Sequence, residues 1–284
     1  MPLDIDRLMA FRIPEVRQRL EPKDIALYAL SVGVGADPLD RAQLRFVDPS
    51  HGPSVMPSMV LVLAHPGFWM GHPESGVDPK AVLHASQGFE ILDALPQGGE
   101  VASRTRITGV IDKGVGRAAL IEAETELRDG KDRLFARLTR TTFVRGGGGF
   151  GGEDQAKTER SAPSEGAPEM VVDLETRPEQ ALIYRLNGDL NPLHSDPAVA
   201  RKAGFERPIL HGLCTMGVVT HALMKSLADY RGERVRLVTL RFSKPVFPGE
   251  TIRTEIWKDG RFRAVVPRRN ETVVEDGFVR IGEV

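Results

Sequence analysis

The sequence predicts an α+β protein built as two similar halves, and three observations carry that prediction. The first is a repeat. Pro22-Lys-Asp-Ile-Ala-Leu-Tyr28 lines up with Pro178-Glu-Gln-Ala-Leu-Ile-Tyr184, Pro38-Leu39-Asp40 with Pro192-Leu193-His194, and Pro96-Gln-Gly-Gly-Glu-Val101 with Pro245-Val-Phe-Pro-Gly-Glu-Thr251. An offset that stays near about 150 residues across separate patches points to duplication of one domain. The second is a break in composition from Gly146 to Pro168, GGGGFGGEDQAKTERSAPSEGAP, almost empty of aliphatics. Such a stretch cannot bury enough surface to offset its ordering entropy and reads as a solvated linker; a long surface loop inside one domain is the alternative. The third is alternation of apolar and polar residues in most of the remaining chain. The expected units are therefore 1–145, a linker at 146–168, and 169–284.

In chain order, the first half should contain a central helix at Ser58–Leu63 and strands at Val101–Val110, Ala118–Arg128 and Leu134–Val144. In the second half, Pro178–Leu186 reads as a short helix, because Pro in a first turn loses no hydrogen bond. A longer helix should begin near Gly212 and bury Val218, Val219, Ala222, Leu223 and Leu227 along one stripe. Strands follow at Val235–Phe242, Thr251–Lys258, Arg261–Pro267 and Thr272–Ile281. One long helix against four or more antiparallel strands per half is an α+β arrangement.

Composition excludes several classes. The 284 residues carry 38 basic and 39 acidic side chains, a net charge of −1, which leaves no electrostatic footprint for nucleic acid or an acidic membrane surface. A single cysteine, Cys214, allows neither an intrachain disulfide nor a thiolate-rich zinc site. No apolar run approaches the ~18–20 residues of a membrane span. The first residues show no signal-peptide pattern and the last are not a Ser-Lys-Leu signal, so a cytoplasmic setting is the expectation.

The most informative segment is Tyr184-Arg-Leu-Asn-Gly188-Asp189-Leu-Asn191-Pro192-Leu193-His194-Ser-Asp196-Pro197. Gly188 and Pro192 should turn the chain sharply. A turn can bring Asp189 and His194 to one side, where a single water could touch both, as general acid–base chemistry requires. It can equally leave Asp189 and Asn191 as helix caps with His194 on the surface. Downstream, Arg207-Pro208-Ile209-Leu210-His211-Gly212-Leu213-Cys214 places Gly212 at a helix start. Free N–H groups and the positive dipole end there suit an oxyanion or a carbonyl; a glycine kept only for packing is the other reading. Cys214 reads as a core residue. A metal site from His194, Asp196 and His211 is conceivable from residue types alone. Arg201, Lys202, Arg268 and Arg269 read as solvated surface.

The string YRLNGDLNPLHSDPAVARKAGFERPILHGLCTMG resembles the signature of the (R)-specific enoyl-CoA hydratases (hydratase 2) among the MaoC-like dehydratases. Arg241-Phe-Ser-Lys-Pro-Val-Phe-Pro-Gly-Glu-Thr251, Leu27-Tyr28-Ala29-Leu30 with Gly33-Val34-Gly35, and Val82-Leu83-His84 with Gln87 extend the likeness over nearly the whole chain. The resemblance implies a double hotdog, two antiparallel sheets each wrapped around a central helix, with a non-catalytic first half that binds the acyl chain. It implies reversible hydration of trans-2-enoyl-CoA to (3R)-3-hydroxyacyl-CoA, with no cofactor beyond the thioester substrate and no metal. Asp189 and His194 match the catalytic pair, Asn191 a supporting residue, and the Gly212 N–H the oxyanion donor. His84, Gln87, Gly188, His211 and Leu213 would contact substrate, and a homodimer is expected. A hotdog thioesterase, an acyl-carrier-protein dehydratase and a catalytically inactive acyl-CoA-binding protein are the alternatives. Two departures fall in the first half: His84-Ala85-Ser86-Gln87 stands where many relatives read His-Gly-Glu-Gln, and Asp48 where several carry Glu.

Overall fold

The alternation in the sequence resolves into one antiparallel sheet of ten strands. The structure, a computed structural model, describes residues 2–48, 50, 53–151 and 166–283. The strands are β1 (Val16–Leu20), β2 (Val82–Ile91), β3 (Gly99–Asp112), β4 (Ala119–Asp129), β5 (Leu134–Val144), β6 (Met170–Glu175), β7 (Val235–Phe242), β8 (Thr251–Ile256), β9 (Arg261–Val266) and β10 (Glu271–Ile281). The helices are α1 (Ile5–Ala10), α2 (Pro22–Ser31), α3 (Arg41–Val47), α4 (Gln180–Tyr184), α5 (Pro197–Lys202) and α6 (Gly212–Ala228). The strand order is β1-β3-β4-β5-β2 in the first half and, read from its far edge, β6-β8-β9-β10-β7 in the second. The two halves thus repeat one topology. They meet where β2 pairs with β7, Ser86 opposite Arg241 and Phe89 opposite Val238, so the two hotdog sheets join into a continuous one.

Each half wraps its sheet over a central segment, but the two segments differ. In the second half it is α6, of 17 residues, in which every residue from Cys214 to Met224 is buried. Burying each of its large aliphatic side chains contributes about 1.5–3 kcal/mol. In the first half the expected helix at Ser58–Leu63 is a five-residue 3₁₀ segment, Pro57–Leu61. Pro57 opens it, and Pro66-Gly67 soon follows, so the chain has no room to propagate a longer helix. The helices α2 and α4, the repeated proline-led pair, pack together with Tyr28 and Tyr184 rings 6.3 Å apart. On α6, Gly217 brings that helix against α2: a Cβ there would run into Val32 and lie 3.1 Å from the Tyr28 hydroxyl. Ser31 adds a polar joint between the halves. Its carbonyl accepts from the Gln180 amide and, at 3.5 Å, from the Cys214 thiol, while its hydroxyl accepts from Asn187 Nδ2 at 3.0 Å.

The glycine run expected to open the linker is instead part of the first half. Gly147 and Gly148 are buried, Leu3 N–H donates to the Gly147 carbonyl, and the Asp112 carboxylate accepts N–H groups of Gly114, Gly149 and Gly151 at 2.7, 2.7 and 3.0 Å. Those N–H donors hold the Asp112 carboxyl below the usual carboxylate range. Residues 152–165 of the expected linker lie outside the described residues. Among the described residues no helix is long and apolar enough to cross a membrane.

Candidate active site

After α4 the chain takes a 3₁₀ turn and reaches Gly188 with φ +115°, a left-handed conformation that glycine adopts without steric penalty. The following turn is built from its own side chains. Asp189 Oδ1 accepts the Asn191 N–H at 3.1 Å, and Asn191 Oδ1 accepts the Leu193 N–H at 3.0 Å. Asn191 is therefore the N-cap of the short Pro192–His194 turn, and its carbonyl oxygen acts on the backbone of the site. Asp196 begins the next helix by capping α5 through the Ala198 N–H at 2.7 Å. Of the two residues that the capping reading named, Asn191 caps a short turn, whereas Asp189 accepts only the Asn191 N–H and caps no helix; nor is His194 on the surface. It is turned inward with 8% of its area exposed, and Nδ1 lies 2.8 Å from the Ile209 carbonyl. A carbonyl only accepts, so Nδ1 carries the proton and the lone pair sits on Nε2. Burial lowers the His194 pKa, against smaller upward contributions from that hydrogen bond and from Asp189. The imidazole is neutral at pH 7.

His211 completes the cluster. It is the N-cap of α6, 1% exposed, with its ring stacked on His194 at 3.7 Å between centroids. Its Nε2 is 3.2 Å from the Asp189 carbonyl oxygen, so His211 clamps the two ends of the turn together, while its buried Nδ1 has no hydrogen-bond partner among the described residues. Burial, and then the neighbouring His194, push its pKa down to about 4. Functional atoms of Asp189, His194 and His211 all fall within 4.8 Å of one another. The three side chains could also take up a cation by residue type and spacing. Asp196, the carboxylate expected in such a set from the sequence, is committed to its helix cap instead.

Gly212 is the first residue of α6, and the side chain of its N-cap, His211, makes no capping hydrogen bond. A Cβ on Gly212 would lie 3.3 Å from the Phe242 ring, and that ring packs edge-on against His84 at 4.9 Å. Phe242 thereby links the first half to the helix start. His84 sits at a bulge in β2, its Nε2 3.1 Å from Gln87 Oε1. Burial and the Arg140 charge hold it well below the ordinary imidazole range. Leu213 and Gln87 line a crevice that runs from this region into the first half between Leu61, Leu63, Thr105, Ala123, Thr125, Leu138 and Arg140. A separate cavity of about 340 Å³ near Leu227 and Trp257 contains none of the candidate site residues.

Sequence reasoning missed the stacking of His211 on His194, the Phe242 bridge and Arg140. Only the last had a legible signal, an arginine in alternation with Ala136, Leu138 and Val144 on β5. Cys214, read as a core residue, is fully buried, and burial raises its thiol pKa well above the ordinary range.

Comparison with known proteins finds relatives of both halves. The MFE-2 hydratase 2 N-terminal domain matches residues 19–146 and the MaoC like domain residues 159–277. A peroxisomal enoyl-CoA hydratase 2 of Arabidopsis thaliana is 37% identical over 97% of this chain and 94% of its own. A Mycobacterium tuberculosis protein named 3-hydroxyacyl-thioester dehydratase Y is 40% identical over 90% of this chain and 87% of its own. The crystal structure of a MaoC-like dehydratase from Phytophthora capsici superposes with a TM-score of 0.85 at 30% identity, covering 99% of this chain and 98% of that one. Both matched domains and these relatives place the chain in the enoyl-CoA hydratase 2 family of MaoC-like hydro-lyases.

Proposed function

We propose that this enzyme adds water reversibly across the Cα=Cβ bond of a trans-2-enoyl-CoA to give the (3R)-3-hydroxyacyl-CoA, with Asp189 and His194 as the acid–base pair. One observation carries the reading: functional atoms of the two side chains lie within 4.8 Å of each other at one end of α6. Two groups that close can each hold the same water at a normal hydrogen-bond length of about 2.8 Å. Neutral His194 offers its Nε2 lone pair, and Asp189 offers the carboxylate oxygen that its turn does not use. Together they orient the water, take its proton as oxygen bonds to Cβ, and return a proton to Cα. A positioned pair of this kind contributes about 10²–10⁴-fold.

As the water attacks, negative charge builds on the thioester oxygen. The Gly212 N–H, at the positive end of α6, is the donor aimed at that charge; one such donor is typically worth about 3–4 kcal/mol. Asn191 and His211 hold the turn in shape, while His84 and Gln87 face the site from the first half. Gly188 lets the turn form and Leu213 borders the acyl path. The chemistry needs no cofactor and no metal, so a chelator should leave the rate unchanged. A cytoplasmic homodimer, with 1–145 as the acyl-binding half and 169–284 as the catalytic half, remains part of the proposal.

The test is an assay with crotonyl-CoA and longer enoyl-CoAs, following loss of the conjugated absorbance and the configuration of the product. Hydration to the 3R alcohol without release of CoA thiol is expected. Thiol release would assign a thioesterase instead, binding without turnover an inactive acyl-CoA-binding protein, and strict preference for carrier-protein thioesters an acyl-carrier-protein dehydratase.

A further inference from the structure

The interior of the first half contains a charge that the hydration chemistry does not use. On β5 the residues Ala136, Leu138, Thr142 and Val144 are buried or nearly so, and Arg140 shares their face by strand alternation. Its neighbours in register are Gln87 on β2 and Ala123 on β4. Arg140 therefore reaches into the crevice beneath the sheet, where the first half has only a 3₁₀ segment in place of a central helix. Among the described residues its Nε, withdrawn from solvent, has no hydrogen-bond partner, and no carboxylate pairs with it. Burial pushes the guanidinium down to about 10, with Asp189 the one charge acting in the opposite direction, so it remains a cation at neutral pH. Arg140 is half-buried, and a cation partly withdrawn from water with no counter-ion is costly to the fold. Other groups around it are also suited to polar ligands: the Thr105 and Thr125 hydroxyls, 2.8 Å apart, and the Gln87 side chain.

We infer that the crevice receives an acyl chain bearing a carboxylate at its far end, with Arg140 as the counter-ion and the two threonines as the polar wall beside it. The inference rests on the hydratase reading for the direction of the chain: the thioester lies at Gly212, and Gln87 and Leu213 mark the entrance through which the rest of the acyl group passes. Planar guanidinium and carboxylate groups match in a bidentate fashion, so such a tail would be selected over a plain alkyl chain of equal length.

Calorimetric titration with saturated thioesters, which cannot be hydrated, tests this separately from catalysis. Adipoyl-CoA and suberoyl-CoA are compared with hexanoyl-CoA and octanoyl-CoA, on the wild type, Arg140→Met and Arg140→Lys. The wild type should bind at least one dicarboxylic member about tenfold or more tighter than its monocarboxylic partner. Arg140→Met should abolish that preference, and Arg140→Lys should retain part of it. Equal binding by the wild type, or a preference that survives Arg140→Met, overturns the inference. Weakening of all four thioesters alike by Arg140→Met also overturns it, since the guanidinium would then be serving the CoA moiety they share. Should Arg140→Met fail to fold, the wild-type comparison alone decides. Hydration of crotonyl-CoA is measured in parallel, so an enzyme that turns over without discriminating tails refutes the inference and leaves the hydratase reading standing.

Discussion

Both halves follow their proline-led helix with a turn, and the two turns end differently. In the first, Asp37 Oδ1 accepts the Leu39 N–H at 2.9 Å, and Asp40 caps α3, one oxygen on the Ala42 N–H at 2.9 Å and the other on Gln43 Nε2 at 2.8 Å. That hydrogen bonding, led by Gln43, holds the Asp40 carboxyl below its ordinary range. In the second, the position aligned with Asp40 is His194, turned under the sheet toward Ile209, and the capping duty passes to Asn191 and Asp196. Asp189 commits only one oxygen to its turn. A carboxylate with both oxygens occupied by the local backbone and a neighbouring amide is a structural part; one with a free oxygen beside a neutral imidazole can move a proton. Duplication supplied the same scaffold twice, and a change in which residue caps what separates the two uses.

Breaking the second turn should have the largest effect. Asp189→Asn and His194→Gln should each lower kcat on crotonyl-CoA by about 10²–10⁴-fold. Asp189 is exposed, so Asp189→Asn should leave the thermal midpoint close to wild type. A loss under tenfold in either variant would remove the pair from the chemistry. At the joint between the halves, Gly217→Ala places a methyl group against Val32 and Tyr28. Overpacking of that kind costs about 1–3 kcal/mol and should appear in chemical denaturation. An unchanged midpoint would mean that α2 and α6 can separate freely.

Acid should act on activity and stability through buried imidazoles. His194 lies below its ordinary range because of burial, so kcat/KM should hold as pH falls through about 6.5, the free imidazole value, and decline only below it. His221, 2% exposed, is pushed by burial down to about 4. The unfolded chain therefore takes up that proton first as pH falls. The stabilisation is complete above about 6.5, drains away between there and about 4, and amounts to roughly 3 kcal/mol at most. His211 acts in the same direction. Denaturation curves at successive pH values check the sign. The smallest expected effect is in the first turn, where Asp40→Ala should cost about 1 kcal/mol of helix capping and leave kcat unchanged.

Much of this was legible from the residues. Strands β3, β4, β5 and β7 to β10 fall where alternation placed them, and α6 begins at Gly212. Strands β1 and β6 escaped because they are short sheet edges whose pattern is mostly polar or exposed. Strand β2 escaped because a bulge between His84 and Ser86 breaks its period. The glycine run at 146–149 looked like linker because composition does not report that Asp112, distant in sequence, would accept the N–H groups of Gly149 and Gly151. In the site, the Asp189–His194 turn was readable from Gly188 and Pro192. The His211 stack was not, since it depends on how the start of α6 folds back over the turn.

The most direct test is a double-mutant cycle in kcat with Asp189→Asn, His194→Gln and the combined variant on crotonyl-CoA. If both side chains act on one bound water, removing the second should cost little once the first is gone, and the double variant should match the slower single. Losses that multiply would show two groups working independently and contradict the shared-water mechanism.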